Sequence, residues 1–381
     1  MELVRTGDQE LIAKTAADFV KEKSPIARVR ALRDSNDPVG FSRTLWKEMA
    51  ELGWVGIAFS EAVGGAGLGF AELCVVMEEL GRTLAPEPFL STVLLAGQAL
   101  LLAGDEAKAR RWLPRVCKGD AILALAQQEA RGRYDLAAVE TRAQRVGAGY
   151  RIRGEKIQVL DGHVADAFVV VARSAGGPRD EKGVTLFLVP QGAAGLTVTR
   201  QTRVDGRNAA LVRLDGVALG ADAVLGAVDG GLALLARVVD RATVGLAAEM
   251  LGGMEQAFAL TLAHLKSRQQ FGVPIGSFQA LKHRAANVFI ELELAKSAVM
   301  AAARAVDADA PDLAKLASLA KARCSDAYLL AANEGVQMFG GVGMTDEYDI
   351  GFYLKRARAA QMTFGDAAWH RARWARLRGY G

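Results

Sequence analysis

The stretch "SRQQFGVPIGSFQALKHR", residues 267–284, joins two long segments that have the apolar spacing of helices. The pattern predicts that one helix ends near Gln270, that "FGVPIG" forms a turn, and that a second helix begins around Ser277, whose hydroxyl suits an N-cap. Arg268 would project from the helix end beside Phe271, an aromatic that could stack on a planar ring while the arginine pairs with a phosphate. A dinucleotide contact is one interpretation, and a helix end with a surface arginine is the other.

The spacing of apolar residues changes twice along the sequence and divides the chain into three parts. Helical spacing extends from about residue 230 to the end and also covers residues 9 to about 118. Between them lie short runs rich in Val and Thr, such as "YRIRGEKIQVL", "DAFVVVARS" and "GVTLFLVP", which are typical of a β-sandwich or barrel of short antiparallel strands. We therefore predict an α+β fold with a helical N-terminal domain (1–120), a middle β domain (121–226) and a C-terminal four-helix-bundle domain (227–381).

Composition excludes several classes of function. Lys and Arg number 47 against 43 Asp and Glu, a surplus too small to indicate nucleic-acid binding. The most apolar run, "STVLLAGQALLLAGDEA", is too short to span a bilayer, and the N-terminus lacks the apolar core of a signal peptide. The three cysteines are far apart and no two of the four histidines stand at ligand spacing, so neither disulfides nor a metal site is expected. We expect a cytoplasmic protein.

A glycine cluster in "VQMFGGVGMTDEY", residues 336–348, offers a second ligand-binding element. Gly340, Gly341 and Gly343 would let the backbone approach a ligand closely, and the Gln337 amide could hydrogen-bond to a phosphate or carbonyl. A plain helix C-cap is the alternative interpretation.

These two motifs, together with "LGWVGIAFSEAVGGAGLGFAELCVVMEELGR" near the N-terminus, occur in the order typical of one family. Across essentially its whole length the chain resembles the acyl-CoA dehydrogenases. The resemblance implies the helix–β–helix layout of that family, bound FAD, and an oxidoreductase activity on the CH–CH bond of an acyl-CoA thioester.

The resemblance also implies which residues hold the cofactor. The pyrophosphate and adenine end of an FAD bound mainly in a neighbouring subunit would contact Arg268, Gln270 and Phe271, and the same part of the FAD would contact Gln337 and Gly341. Two further residues are implied beside these, Gln279 and Gly340. An FAD shared across a dimer interface implies a tetramer built as a dimer of dimers.

In the middle domain the sequence departs from the family pattern. Gln127 stands near the usual threonine of a Thr-Glu-Pro-Gly run, Gln158 replaces a tryptophan and Leu160 replaces a hydroxyl residue. We therefore expect Gln127 and Leu160 to contact the flavin ring through their main chain only.

The catalytic base is the second departure. The family reaction removes the α-proton with a carboxylate while the β-hydride goes to the flavin, and a backbone N–H helps to hold the enolate oxygen. In "MTFGDAAWHR", residues 362–371, Phe364 stands where most members carry the glutamate base, so it could supply only the N–H. Asp366 is the nearest acid and is either a base or a helix cap. Asp240 is expected in an ion pair and His370 on a helix surface.

"QEARGRYDLAAV" and "TFGDAAWHR" resemble one branch of the family, the small-subunit type of pimeloyl-CoA dehydrogenase. In that branch two unlike subunits pair, so the resemblance favours a subunit of a two-component acyl-CoA dehydrogenase with an electron-transfer flavoprotein as acceptor. Two alternatives stay open: a self-sufficient homotetramer that uses Asp366 as base, and a non-catalytic subunit that completes a partner's FAD site.

Overall fold

The protein was analysed as a computed structural model that describes residues 3–380. In chain order the elements before the β region are α1 (Gly7–Lys23), α2 (Ile26–Asp34), α3 (Arg43–Glu51), α4 (Phe70–Arg82), a π-helix (Phe89–Gly97), α5 (Gln98–Leu102) and α6 (Glu106–Cys117). Their boundaries follow local chemistry: Thr6 and Gln9 form a capping box at α1, and the Ser42 hydroxyl caps α3.

Eight strands follow and form one sheet. They are β1 (Leu123–Ala126), β2 (Arg142–Val146), β3 (Gly149–Leu160), β4 (Ala167–Arg173), β5 (Val184–Pro190), β6 (Leu196–Gln201), β7 (Ala209–Leu219) and β8 (Val224–Leu225), in the order β6-β7-β3-β2-β4-β5-β8 with β1 beside β4. The expectation of short antiparallel strands is wrong in two respects. β3 and β7 have 12 and 11 residues, and β1 pairs with β4 in parallel.

The remaining elements are α7 (Gly231–Ser267), the two-residue strands β9 (Gln269–Gln270) and β10 (Val273–Pro274), α8 (Gln279–Asp307), α9 (Leu313–Phe339), α10 (Ile350–Met362) and α11 (Ala367–Leu377). α9 packs against α8, α10 and α11. The predicted N-cap at Ser277 is wrong, because α8 begins two residues later and Ser277 ends a short 3₁₀ turn.

The chain divides into two compact units. The bundle unit contains the residues up to Ala31, Gly69–Ala85 and the residues from Thr243 onwards. The sheet unit contains Leu32–Leu68 and Pro86–Ala242. The two units follow a different criterion from the domains 1–120, 121–226 and 227–381 expected from the sequence, so these domain boundaries stay a prediction.

One hydrophobic cluster of the sheet unit is formed by alternate side chains of β3, β4, β5 and β7, as period-two patterning requires, with Ile152, Phe168 and Phe187 among its fully buried residues. Every residue of β4 is buried, so the sheet is covered on both faces at that strand. The π-helix packs on β1, where the Thr92 hydroxyl donates to the Leu123 carbonyl at 3.1 Å. No helix within residues 3–380 is both long and apolar enough to cross a membrane.

Candidate functional site

A tight hairpin connects α7 to α8. β9 and β10 pair in antiparallel register, and the two residues between them, Phe271 and Gly272, both have positive φ, 56° and 78°. Two positive φ values in a two-residue loop define a type I′ turn, which is rare for a phenylalanine. The Phe271 ring is 91% exposed and lies edge to face with Phe278 at 5.9 Å between ring centroids. The turn therefore presents an aromatic ring to whatever lies outside the chain.

Polar side chains flank this aromatic. Arg268 and Gln270 are exposed, and their side chains make no hydrogen bond or ion pair within the described residues. The Arg268 backbone is fixed, because its N–H donates to the His264 carbonyl at 2.9 Å and its carbonyl accepts from Ile275 at 2.8 Å. A guanidinium on a fixed backbone with no internal partner suits a phosphate.

The glycine cluster lies at the end of α9. Gly340 has φ of 70° and ends the helix, which confirms the C-cap interpretation. A methyl group built on Gly341 would meet nothing within 4 Å, and Gln337 is exposed one turn earlier. Gly340 and Gly341 therefore also leave open space beside the backbone at the surface.

The hairpin and the glycine cluster belong to the same end of the bundle unit. The His264 ring, near the end of α7, stacks on Phe339 at the end of α9 with centroids 4.2 Å apart. Gln279, the first residue of α8, is exposed on the same segment as the hairpin. The structure thus brings the end of α7 next to the end of α9, and these two helix ends carry the hairpin and the glycine cluster, which come from separate parts of the sequence.

The sheet unit carries the residues expected beside the flavin ring. Gln127 follows β1 directly and its carbonyl accepts a hydrogen bond from Lys156 at 3.3 Å. Leu160 is buried at the end of β3. Between them a bulge in the β3–β7 pairing puts Gln158 at φ 53°, and its N–H donates to the Gln201 amide oxygen at 3.2 Å. Direct contact of Gln127 and Leu160 with a flavin stays a prediction.

A buried ion pair lies beneath that bulge and was not anticipated. Lys156 Nζ is 2.6 Å from Glu129, and the Glu129 carboxylate also accepts from the backbone N–H groups of Glu140 and Thr141 at 2.7 and 3.0 Å. Burial lowers the pKa of Lys156 to about 8 although Glu129 acts in the opposite direction. Burial alone would raise the pKa of Glu129, but Lys156 and Thr141 keep it below its usual value. The pair therefore holds the chain on both sides of β2.

The loop between α10 and α11 contains the position where a base is expected. Phe364 has φ of 61° and Gly365 has φ of 123°. Non-glycine residues with positive φ are uncommon and mark strain that the surroundings must maintain. No carbonyl or side chain of the described chain accepts the Phe364 N–H. A half-buried peptide with an unused donor is what an oxyanion contact needs.

Asp366 follows in the same loop and is the N-cap of α11. Its Oδ1 accepts from the Trp369 N–H at 2.9 Å, and its carbonyl accepts from His370 at 3.0 Å. The capping interpretation is confirmed. Whether the same carboxylate also takes a substrate proton stays a prediction.

His370 is not the surface residue that the sequence suggested. It is 1% exposed, and neither ring nitrogen makes a hydrogen bond of normal geometry, although the Phe364 carbonyl is close enough to favour the protonated ring slightly. Burial, then Lys321 and Arg373, lower the pKa of His370 to about 3. His370 was wrongly expected on the surface because the buried face of α11 is short and arginines interrupt its apolar spacing.

The other buried acids of the bundle unit are held by cations. Arg356 contacts Glu249 at 3.2 Å, and Arg82 contacts Glu79 at 2.9 Å as well as Glu255. Burial and the neighbouring Glu78 raise the pKa of Glu255 to about 7 against the influence of Arg82 and Lys296. These contacts indicate a structural charge network. Asp240 belongs to the sheet unit and is buried, and its expected ion pair stays a prediction.

Comparison with known proteins decides the family. Three domain profiles match in order: acyl-CoA dehydrogenase N-terminal domain (residues 6–120), middle domain (124–217) and C-terminal domain (229–377). The chain is 32% identical over 324 residues to acyl-CoA dehydrogenase FadE12 of Mycobacterium tuberculosis, covering 84% of this chain and 83% of that protein. The chain belongs to the acyl-CoA dehydrogenase family.

Two solved structures extend the similarity over the whole chain. One is a chain of the ChsE4–ChsE5 complex from Mycobacterium tuberculosis, with a TM-score of 0.89, 27% identity and complete coverage of both chains. The other comes from a structure of the electron transferring flavoprotein of Acidaminococcus fermentans, with a TM-score of 0.91, 27% identity and 99% coverage of both chains. The acyl-CoA dehydrogenase fold, with helical terminal domains and a central sheet-rich domain, is therefore confirmed.

Family membership makes this protein an FAD-dependent oxidoreductase that acts on the CH–CH bond of acyl-CoA. The residues of the bundle unit fit that cofactor. An arginine without an internal partner, exposed glutamine amides and an exposed aromatic ring are the donors and the stacking surface that a pyrophosphate and an adenine require. Among residues 3–380 no group of three or more His, Cys, Asp or Glu side chains is arranged to hold a metal ion.

Proposed function

We propose that this chain is one subunit of a two-component acyl-CoA dehydrogenase, and that the complete proton-accepting site is in a related partner subunit. The observation that carries the proposal is the loop 362–366. Phe364 occupies the position expected for the base, and the only acid beside it, Asp366, is the N-cap of α11. A carboxylate that already accepts a backbone hydrogen bond is constrained in direction and is a poor candidate for moving between capping and proton transfer.

Within this chain, two functions of the family site can be assigned to residues. FAD, when bound, supplies the hydride acceptor. The Phe364 N–H donates to the thioester carbonyl, so that negative charge on the enolate oxygen is stabilised at a fixed position. Arg268, Gln270 and Phe271 hold the pyrophosphate and adenine, with Gln337, Gly340, Gly341 and Gln279 beside them. The function that lacks a residue is α-proton removal, which is worth about 10²–10⁴ in rate.

The surface of α8 supports assembly with another chain. Phe289, Ile290 and Leu294 are each about half exposed, although they lie in the middle of a 29-residue helix. Contiguous apolar surface of this kind is typical of a protein interface. The similarity to a chain of the ChsE4–ChsE5 complex supports a related, unlike partner. The similarity to a chain in an electron transferring flavoprotein structure supports a protein of that kind as electron acceptor, in the cytoplasm.

The test is anaerobic flavin reduction by a panel of acyl-CoA thioesters, including dicarboxylic and cyclic ones. The chain is measured alone and after co-expression with a second acyl-CoA dehydrogenase-like chain. We expect the chain alone to retain FAD without reducing it, and the co-expressed complex to bleach. Rapid bleaching by the chain alone would contradict the proposal.

Two variants separate the alternatives. Asp366→Asn keeps the cap but removes the carboxylate, whereas Glu347→Gln removes an exposed carboxylate elsewhere in the bundle unit and serves as the control. Bleaching by the chain alone that is lost only in Asp366→Asn would establish the self-sufficient homotetramer, since Asp366 Oδ2 is not used by the cap. A complex in which this chain binds no FAD of its own would establish the non-catalytic subunit.

A further inference from the structure

Lys321 lies in the middle of α9 and is completely buried. Its neighbours at helical spacing, Ala317, Cys324 and Tyr328, are buried on the same face, so Lys321 occupies a position at which an apolar residue is expected. A lysine here needs a specific explanation, since lysine is almost never fully buried without a partner.

The Lys321 ammonium uses all three of its donors. It donates to the Gly365 carbonyl at 2.8 Å, to the Gln361 carbonyl at 3.0 Å and to the Ser325 hydroxyl at 3.3 Å. No carboxylate of the described chain lies within ion-pair distance. Burial lowers the pKa of Lys321 to about 7, while Cys324 and Asp366 act in the opposite direction. The protonated form is the one that uses every contact.

The two carbonyls lie at opposite ends of the loop that carries Phe364. Gln361 is in the last turn of α10, where carbonyls have no intrahelical donor, and Gly365 directly precedes the N-cap of α11. One ammonium therefore joins the end of α10 to the start of α11. Only three residues, 362–364, lie between the two attachment points, and one of them is Phe364.

The opposite side of the loop is supported by His370. A methyl group built on Gly365 would lie 2.8 Å from His370 Nε2 and 2.6 Å from Trp369, so the loop rests directly on these rings. The neutral imidazole adds bulk without a competing charge. The loop is thus held between α9 and α11, which explains how Phe364 keeps a positive φ.

We propose that Lys321 is a positioning residue, whose hydrogen bonds to the Gln361 and Gly365 carbonyls fix the Phe364 peptide so that its N–H stays directed at the thioester carbonyl. This inference rests on the proposed role of the Phe364 N–H in acyl-CoA dehydrogenation. A methionine could fill the same volume without the penalty of burying a charge, so the ammonium is explained by the carbonyls that it holds.

The experiment measures carbonyl polarisation and does not require turnover. An enoyl-CoA labelled with carbon-13 at the thioester carbonyl is bound to FAD-loaded protein, and the carbonyl stretch is recorded by infrared difference spectroscopy below the Lys321 pKa of about 7. The variants are Lys321→Met and, as matched control on the same helix, Lys315→Met. We expect a downshift of the stretch in wild type and Lys315→Met that is roughly halved or lost in Lys321→Met, at equal FAD content.

A full downshift in Lys321→Met would overturn the inference while leaving the role of Phe364 intact. Absence of a downshift in wild type would overturn the proposed role of the Phe364 N–H itself. If Lys321→Met does not fold, Lys321→Gln replaces it. Its amide nitrogen is one bond closer to the backbone than the lysine ammonium, so it reaches at most one of the two carbonyls, and we expect an intermediate downshift. A wild-type downshift in Lys321→Gln would also overturn the inference.

Discussion

Among residues 3–380 two lysines are completely buried, and their ammonium groups have different partners. Lys156, in the sheet unit, faces the carboxylate of Glu129. Lys321, in the bundle unit, faces two carbonyls and a hydroxyl and has no counter-ion in the described chain. Burial lowers the pKa of both, to about 8 for Lys156 and to about 7 for Lys321.

The different partners of Lys156 and Lys321 indicate that the two side chains have different structural roles. The Lys156–Glu129 ion pair lies within one unit and connects its strands and loops, so its loss should lower the free energy of unfolding. The Lys321 ammonium has no counter-ion and holds a backbone carbonyl at each end of a short loop, so it fixes a peptide orientation, and its loss should appear mainly at that peptide. Four predictions test this distinction, beginning with the largest effect.

Removing the carboxylate of the ion pair should have the greatest cost. Glu129→Gln leaves the Lys156 ammonium buried without its counter-ion and with the Gln127 carbonyl as a remaining acceptor, and we expect a loss of roughly 3–5 kcal/mol in the free energy of unfolding. Urea unfolding monitored by circular dichroism gives the value. Glu140→Gln, at an exposed carboxylate of the same segment, is the control, and an equal change in both variants would show that the ion pair does not stabilise the sheet unit.

Gly365→Ala should disturb the loop at the residue whose carbonyl accepts a hydrogen bond from Lys321. The residue needs φ of 123° and has no space for a methyl group, so we expect a loss of about 2–3 kcal/mol together with loss of the carbonyl downshift. Gly379→Ala is the control, since Gly379 also has positive φ but its methyl group would meet nothing within 4 Å. Equal losses in thermal unfolding of the two variants would mean that backbone conformation, and not the contact with Trp369 and His370, accounts for the effect.

The free energy of unfolding should depend on pH differently in the wild type and in Lys321→Met. The Lys321 pKa is about 7 in the folded protein and 10.5 without burial, so between these values the unfolded chain binds the extra proton and stability rises with pH. We expect this rise to be smaller in Lys321→Met by about 1 kcal/mol per pH unit. Cys324, Asp366 and His370 face the ammonium and are unchanged in the variant. Parallel pH profiles of the unfolding free energy in both proteins would refute the prediction.

Asp366→Asn should have the smallest effect on stability. Asparagine caps a helix about as well as aspartate, so we expect a change within about 0.5 kcal/mol, whereas Asp366→Ala should cost about 1 kcal/mol. Thermal unfolding of the three proteins checks both values. A large loss in Asp366→Asn would mean that the negative charge, and not the cap, is what the loop requires.

Sequence patterns were sufficient for the order of the elements and for placing the candidate cofactor residues at an exposed helix end. Arg268 and Phe271 lie at a helix end, and a local motif of helix, turn and helix determines that position. The change from helical to alternating spacing near residue 121 likewise predicted the sheet, although not the length of β3 or the parallel pairing of β1, which depend on contacts with distant strands.

The buried charges could not be predicted in the same way. Glu129 and Lys156 are 27 residues apart, and Lys321 and Gly365 are 44 apart, so each pairing is created by tertiary structure. The sequence does contain one signal: Lys321 interrupts the apolar spacing of α9, and a charge in such a position indicates a buried partner. His370 was misplaced for the opposite reason, because arginines around it hide a short buried face.

The Phe271 turn has a consequence for how the protein is assembled. The β9–β10 pairing fixes the backbone of this turn, so little backbone entropy remains to be lost when the exposed ring meets a neighbour. Under the proposed function that neighbour contributes the rest of the FAD site, which makes subunit association and cofactor retention a single linked equilibrium. Dilution should therefore release flavin, and added flavin should hold the subunits together.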